Sequence, residues 1–358
     1  MKYFMMGAVF TMLMAACSSE DEVTPDVEGY DGNVVFEISA VNKLSDGKDT
    51  KGAVYSQEAT QNVTDVKVYA FVSTDATNYY WAKTFTISDW TVGTSFKRYA
   101  VADADKLPAG DYKFLAVGRD ASDMFTLPAM SGSVKFENVI ASVTASGNES
   151  EIFSGFAAAQ ISDKGGARVS IEMIRKVAGV LGYFKNVPQT LDGQAVKYLR
   201  LTVNNVNQQV NLTSGSGINT AVTPFRIIDL DLTTQPVVGG VYSGNDLSGA
   251  GVVKVPNSQL GGLFLIPVSG VTLTLGLYTA DGTVIKEWVV KDSSGNLTTF
   301  DIQANHFYSL GMKAKANTTT GEPGDPGDDD APVDLLTDQN IVITISPAWE
   351  LIHNLVIQ

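Results

Sequence analysis

Few side chains in these 358 residues could carry reaction chemistry. There is one cysteine, Cys17, and there are two histidines, His306 and His353. His306 stands at the entry to an apolar run, "NHFYSL", and His353 lies in the apolar C-terminal segment. Neither has a cysteine near it, and the chain has no H-E-x-x-H, G-x-S-x-G or P-loop spacing. Asp229 and Asp231 in "IIDLDL" are two apart, which on a strand puts both on one face, toward solvent. Nothing sets two carboxyls across a cleft, as sugar hydrolysis needs. The acidic run "GDPGDDD" lacks the D-x-D-x-D-G spacing that wraps oxygens around calcium. An enzyme, a cofactor and a metal site are therefore not expected.

Cys17 has a different use. Met1 to Tyr3 form a short positive n-region, Phe4 to Met14 an apolar run, and Ala15 and Ala16 are small. The run is too short for a mature membrane span and suits a signal peptide. "LMAAC" resembles a bacterial lipobox. On that resemblance residues 1–16 are removed and Cys17 is acylated on its thiol and its new amino group. Two or more acyl chains anchor stably where one does not. The alternative is an ordinary secretory signal with a free cysteine nearby. Residues 17–31 make an acidic tether. The "SSEDE" cluster resembles the surface-export signal of Bacteroidetes-type lipoproteins, although a solvated tether would look the same.

A formal net charge of −14 disfavours nucleic acid and anionic head groups as partners. Abundant Thr, Val, Ser, Asn and Gly, with short alternating runs between turn residues, point to an all-β chain. "GNVVFEISA", "DVKVYAFVS", "YYWAKTFTI", "FKRYAVAD", "YKFLAVGR" and "SVKFENVIASVTA" read as the strands of a first sandwich, residues 32–164. "RVSIEMIRKVAGVLGYF" reads as one doubly buried strand opening a second, residues 165–316. "AVKYLRLTVNNV", "FRIIDLDL", "GVVKVP", "LFLIPV", "VTLTLGLYT", "VIKEWVVKD" and "HFYSLGMKA" complete it. Leu107–Gly118 and Ile302–Lys313 form a faint internal repeat. Residues 317–332, "NTTTGEPGDPGDDDAP", read as a solvated linker.

Residues 333–358 form an appendage. In "IVITISPAWELIHNLVIQ", Ile341, Ile343, Ile345, Trp349, Leu351, Leu355 and Ile357 all carry odd numbers, so one strand face is apolar across Pro347. An exposed apolar strand behind a linker is a hazard, so it must lie in a groove. Either it folds back as the last strand of its own domain, or it is donated to another molecule.

The lipobox, the tandem strand sets, "EIFSGF", "MIRKVAGVLGYFKNVP", "NHFYSLGMK" and the "PAWE" tail, in that order, resemble the fimbrillin superfamily of Bacteroidetes-type (type V) pili, in the branch of the anchor subunits. The resemblance implies two tandem transthyretin-like β-sandwiches with a C-terminal strand appendage. It implies other fimbrillin subunits as partners through strand addition, and an outer membrane reached through the lipid. In stalk subunits of that family a trypsin-like protease cuts after a basic residue beyond the first strand, while anchor subunits stay uncut. Here the first Arg is Arg98, so an Arg-specific protease leaves the chain an anchor. A protease that accepts Lys could cut at Lys48 or Lys51 and make it a stalk subunit. A glycan-binding surface lipoprotein is the competing reading, with "NYYW" as an aromatic platform, although Tyr79 and Trp81 are expected to point inward.

Overall fold

The computed structural model describes residues 33–40, 63–75, 77–91, 94–120, 125–143, 151–163, 165–221, 224–247, 252–292, 294, 296–313, 330–338 and 340–346. Alternation of apolar and polar residues sets most strand bounds, and the architecture is all-β. The first part of the chain lays down β1 (Val34–Ala40), β2 (Asp65–Ser73), β3 (Tyr79–Ile87), β4 (Phe96–Ala100), β5 (Gly110–Arg119), β6 (Phe125–Thr126), β7 (Ile140–Val143), β8 (Ile152–Ile161) and β9 (Ala167–Arg175). There follow β10 (Ala178–Lys185), β11 (Thr190–Leu191), β12 (Gln194–Ala195), β13 (Tyr198–Val203), β14 (Val206–Asn211), β15 (Gly217–Ala221), β16 (Phe225–Asp231), β17 (Val237–Val238) and β18 (Val241–Tyr242). The last are β19 (Ser258–Leu265), β20 (Val268–Val271), β21 (Leu273–Tyr278), β22 (Val284–Val289), β23 (Phe300–Ile302), β24 (Phe307–Leu310), β25 (Val333–Asp334) and β26 (Thr344–Ser346).

Seven strands pair in the order β3-β2-β5-β8-β9-β1-β4. β8 runs beside β5 for its whole length but meets β9 only at Phe153↔Arg175 and Ser154↔Ile174. Beyond that contact the sheet opens into two leaves that close on one core. Phe36 of β1 sits there with its ring 5.3 Å from Phe85 of β3 and 5.1 Å from Phe114 of β5. Val66, Val68, Ile171 and Met173 fill the space around them. A second core lies between β19-β10-β24-β26 and β16-β13-β21-β22. The expected apolar face of Val271, Leu273, Leu275 and Leu277 is fully buried in it.

The two halves are sewn together. β7 of the first pairs with β14 of the second. A third cluster joins Phe71, Leu115 and Phe136 to Leu181, Tyr183 and Phe264. Tyr79 and Trp81 pack against this cluster, half-buried.

Several sequence expectations change. "RVSIEMIRKVAGVLGYF" is two strands: β9 completes the first sheet beside β1, and β10 leads the second. The chain passes from the first sheet to the second at Lys176–Val177, between β9 and β10. In "SVKFENVIASVTA" a 3-10 turn, Phe136–Asn138, precedes the short β7. "GVVKVP" forms no strand among its described residues, although Val252 is buried. The run through Pro267 gives three strands, with a second break at Thr272, while Gly270 (φ +66°) sits inside β20 where its pairing with β23 is irregular.

Candidate functional site

Two strand elements at opposite ends of the chain form the candidate site. The first is β1. It lies between β9, to which it is parallel from Val34↔Ala167 to Ala40↔Met173, and β4, to which it is antiparallel from Val35↔Ala100 to Ser39↔Phe96. Val34, Phe36, Ile38 and Ala40 point into the core and are buried. The opposite face carries one charge, Glu37, which is only 8% exposed. Arg168 of β9 approaches it to 2.7 Å, and Arg98 of β4 to 3.8 Å from the other side. Ser170 donates a hydrogen bond of 3.2 Å. The hydrogen bond from Arg168 leads in holding this carboxyl below the usual range, against the opposing effect of burial.

Beside this slot two of the sequence motifs meet. Glu151 of "EIFSGF" and Arg175 of "MIRKVAG" form a buried ion pair at 2.6 Å, with the guanidinium 4.9 Å from the Phe153 ring centre. Gly155 marks the crossing of β8 and β9, since a Cβ there would stand 1.8 Å from the carbonyl oxygen of Glu172. The glycine of the motif is thus required by a close backbone approach.

The second element is the C-terminal segment. "NHFYSLGMK" becomes β24 and its exit turn. The hydroxyl of Tyr308 donates to the carbonyl of Asp301 at 2.7 Å. Gly311 (φ +78°) turns the chain where a Cβ would lie 2.4 Å from the Tyr183 carbonyl oxygen. Met312 and Ala331 then exchange backbone hydrogen bonds of 2.8 and 2.9 Å. Lys313 and Asp330 pair at 2.9 Å, each side chain 1% exposed. Tyr183 donates to the same carboxylate at 3.1 Å, and burial leads in pushing its hydroxyl up to about 12. This clasp closes the linker at its neck. The Asp330 side chain is buried in the clasp, Ala331 stays exposed while its backbone bonds to Met312, and residues 314–329 lie outside the described residues.

Beyond the clasp, β25 continues along β10, taking over from β24. Leu335 enters the second core. Ile341 and Ile343 straddle Lys291 with backbone bonds of 2.9 and 2.8 Å, and β26 pairs antiparallel with β24. Ile341 and Ile343 are each 1% exposed, whereas Ile345 is 40% exposed. The seven-residue apolar face thus divides at its third member. Ile345 lies on the edge strand beside an open cavity of about 460 Å3 lined by Asp292, Leu297, Phe300, Asp301 and Gln303. Trp349, Leu351, Leu355 and Ile357, like Cys17, Lys48 and Lys51, lie outside the described residues.

The residues considered for chemistry have structural partners. Asp229 accepts from Arg200 at 2.7 Å and Arg226 at 2.8 Å. Asp231 accepts the Thr233 amide at 2.8 Å. His306 Nδ1 is 2.9 Å from the Ala304 carbonyl, and His353 lies outside the described residues. Among the described residues no group of three or more His, Cys, Asp or Glu could hold a metal, and no helix is long and apolar enough to cross a membrane. Sequence reasoning missed Glu37. The available signal was a single carboxylate inside an otherwise apolar strand, which demands a cation on a neighbouring strand.

Comparison with known proteins follows the same line. No curated protein matches the chain. The fimbrial anchor protein Mfa2 from Porphyromonas gingivalis aligns at 12% identity over 88% of this chain and 97% of its own, with a TM-score of 0.45. A candidate cell adhesion protein from Bacteroides eggerthii aligns at 11% identity over 88% and 95%, with a TM-score of 0.44. A candidate adhesin from Bacteroides ovatus aligns at 14% over 78% and 90%, with a TM-score of 0.43. The family model of the fimbrillin-A associated anchor proteins Mfa1 and Mfa2 matches residues 30–354, a span that takes in both the β1 slot and the clasp, and the chain belongs to that family.

Proposed function

We propose that this protein is the lipid-anchored base subunit of a fimbria, held on the outer membrane through Cys17 and joined to the next subunit by its C-terminal strand. Family membership supports a fimbrial subunit that associates with others at the cell surface. The observation that carries the base role concerns β1. It is buried between two strands, and the chain reaches β2 through residues 41–62, which hold lysines but no arginine. The first arginine, Arg98, lies inside β4, paired with β1 and out of reach of a protease that needs an extended loop. The lipid and β1 therefore stay on the chain.

The C-terminal strand rests at home before assembly. Residues 331–338 and 340–346 dock on the second half, and Trp349, Leu351, Leu355 and Ile357 follow Pro347, which has no N–H to donate to a ladder. Docking on the next subunit begins with those residues. Ile341, Ile343 and Ile345 follow if the segment strips away from β24.

Mass spectrometry of fimbriae purified from the membrane tests this reading. Lipidated Cys17 on the same chain as Gln358 is the expected result. A mature N-terminus at Asp49 or Gly52 would show cleavage after Lys48 or Lys51 and replace the base role with a stalk role. A Cys17→Ala variant should leave the membrane fraction, and unchanged fractionation would refute the lipid anchor.

A further inference from the structure

The cavity beside the edge strand β26 has walls of two kinds. Phe300 and Ile343 line it from the core and are buried, while Leu297, 59% exposed, and Ile345 form an apolar lip. Asp292 and Asp301 also line it, and no lysine, arginine or histidine does. Neutral donors hold both carboxylates. Asp292 accepts from the Ser294 hydroxyl at 2.7 Å and from the amides of Asn296 and Leu297 at 3.0 and 2.9 Å. Asp301 accepts the Gly270 amide at 2.9 Å. Among the described residues neither carboxylate has an ion-pair partner. Apolar walls thus meet two negative charges that the protein leaves unbalanced.

We infer that this cavity is a docking site for a partner protein, and that its occupant is a segment carrying a large apolar side chain close to a lysine or arginine. The apolar side chain displaces water from Leu297, Phe300 and Ile345, and the cation settles between Asp292 and Asp301. Lysine and arginine suit such a rim, since their apolar stems lie along the lip while the charged head stays in water. A volume of about 460 Å3 falls within the range of about 300–1,000 Å3 of pockets that take small ligands, so it holds a few side chains and not a folded surface. Charge disfavours the chain's own tail as the occupant. Pro347 to Gln358 contains Glu350 and neither lysine nor arginine, so like charge would meet like. Ile343 and Ile345 belong to the C-terminal segment, so the cavity is complete only while that segment is docked. An occupant therefore favours the docked state by mass action. The site depends on neither the lipid anchor nor donation of the tail.

The test titrates fluorescein-labelled peptides into the full chain and follows fluorescence anisotropy. One peptide alternates leucine with lysine, a second leucine with glutamate, and a third serine with lysine. The leucine–lysine peptide should bind at least about tenfold more tightly than either of the others. Asp292→Asn/Asp301→Asn keeps the oxygens that accept the loop hydrogen bonds and removes both charges. It should weaken the leucine–lysine peptide about fivefold, the loss of two exposed ion pairs. Leu297→Ser keeps the charges and should weaken it by a similar factor through lost apolar contact. Native-state hydrogen exchange locates the peptide, because the Ile343 amide should gain protection on binding. Equal binding of the leucine–glutamate peptide would overturn the basic partner. Equal binding of the serine–lysine peptide, unchanged by Leu297→Ser, would reduce the effect to general attraction toward an acidic protein and overturn the site. Binding without added protection at Ile343, or no binding at all, would overturn it as well.

Discussion

Replacing Lys313 by Met should free the C-terminal segment while leaving both halves folded. The Lys313 ammonium is within 2.9 and 3.1 Å of the two Asp330 oxygens, and both side chains are 1% exposed. Methionine keeps the length and the apolar stem but removes the cation. Asp330 then keeps the Tyr183 hydroxyl and loses its countercharge. Removing one member of a buried ion pair costs about 3–5 kcal/mol, since the other charge stays buried without compensation. If that cost falls on the docking of residues 331–346 alone, the population of the undocked state rises about a hundredfold to a few thousandfold, at roughly 1.4 kcal/mol per factor of ten.

Native-state hydrogen exchange reads this directly. The amides of Leu335 and Ile343, which donate to the carbonyls of Lys185 and Lys291, should lose protection by that factor. Amides of β5, at the centre of the first sheet, should keep theirs. A Lys313→Met/Asp330→Leu pair should restore most of the protection, because a well-packed apolar pair can replace a buried ion pair at little loss. Equal loss in β5 would show that the clasp supports the whole molecule. No loss at Leu335 and Ile343 would show that the clasp does not hold the segment.

Three further outcomes follow from the same geometry. Gly155→Ala should destabilise the first half by about 3 kcal/mol or more in chemical denaturation, because its Cβ would meet the Glu172 carbonyl at 1.8 Å; an unchanged midpoint would mean the strands separate freely there. The Glu37 carboxyl is held low, so its contribution is fully present above the ordinary glutamate value of about 4.3 and is lost as pH falls through the lowered value in the folded protein. The stability of wild type should therefore drop more steeply below about pH 4 than that of Arg168→Gln, with the two curves converging in acid, and parallel curves would refute the clamp. Deleting Pro347–Gln358 should leave thermal unfolding unchanged and abolish attachment of fimbriae to the cell, whereas normal attachment would move the joint to another surface.

The elements legible in the sequence are those whose pattern is local. β2 and β3 match their expected runs residue for residue, since alternation and flanking turns bound them. The errors arise where the pattern stays the same and the neighbours change. From Arg168 to Phe184 the chain is apolar enough on both faces to read as one buried strand, yet it changes sheets at Lys176–Val177. The Arg175–Glu151 pair that pins this point joins residues 24 apart, and nothing within the run announces it. Composition likewise makes Asp330 one more solvated acid in an acidic linker. Only the fold brings Lys313 and Tyr183 to it. The tail shows the reverse case: a uniform period of two predicts one continuous face, but burial requires an opposing surface. That surface covers Ile341 and Ile343 and gives way to an open cavity at Ile345.

The sites the sequence hid share a physical character. Glu37, Glu151 and Asp330 are carboxylates met by cations from other segments, at the β1 slot, at the crossing of β8 and β9, and at the base of the C-terminal segment. Buried ion pairs add little stability over apolar packing of the same volume, so their places are not explained by a need for strength. They do forbid alternatives. An apolar strand can slide by two residues and bury an equivalent face, while a strand with one charge opposite one guanidinium pair cannot. Such constraints matter most where one segment must pair with one particular neighbour. All three carboxylates sit where segments distant in sequence meet, and the apolar core between the leaves of the first sheet holds none of them.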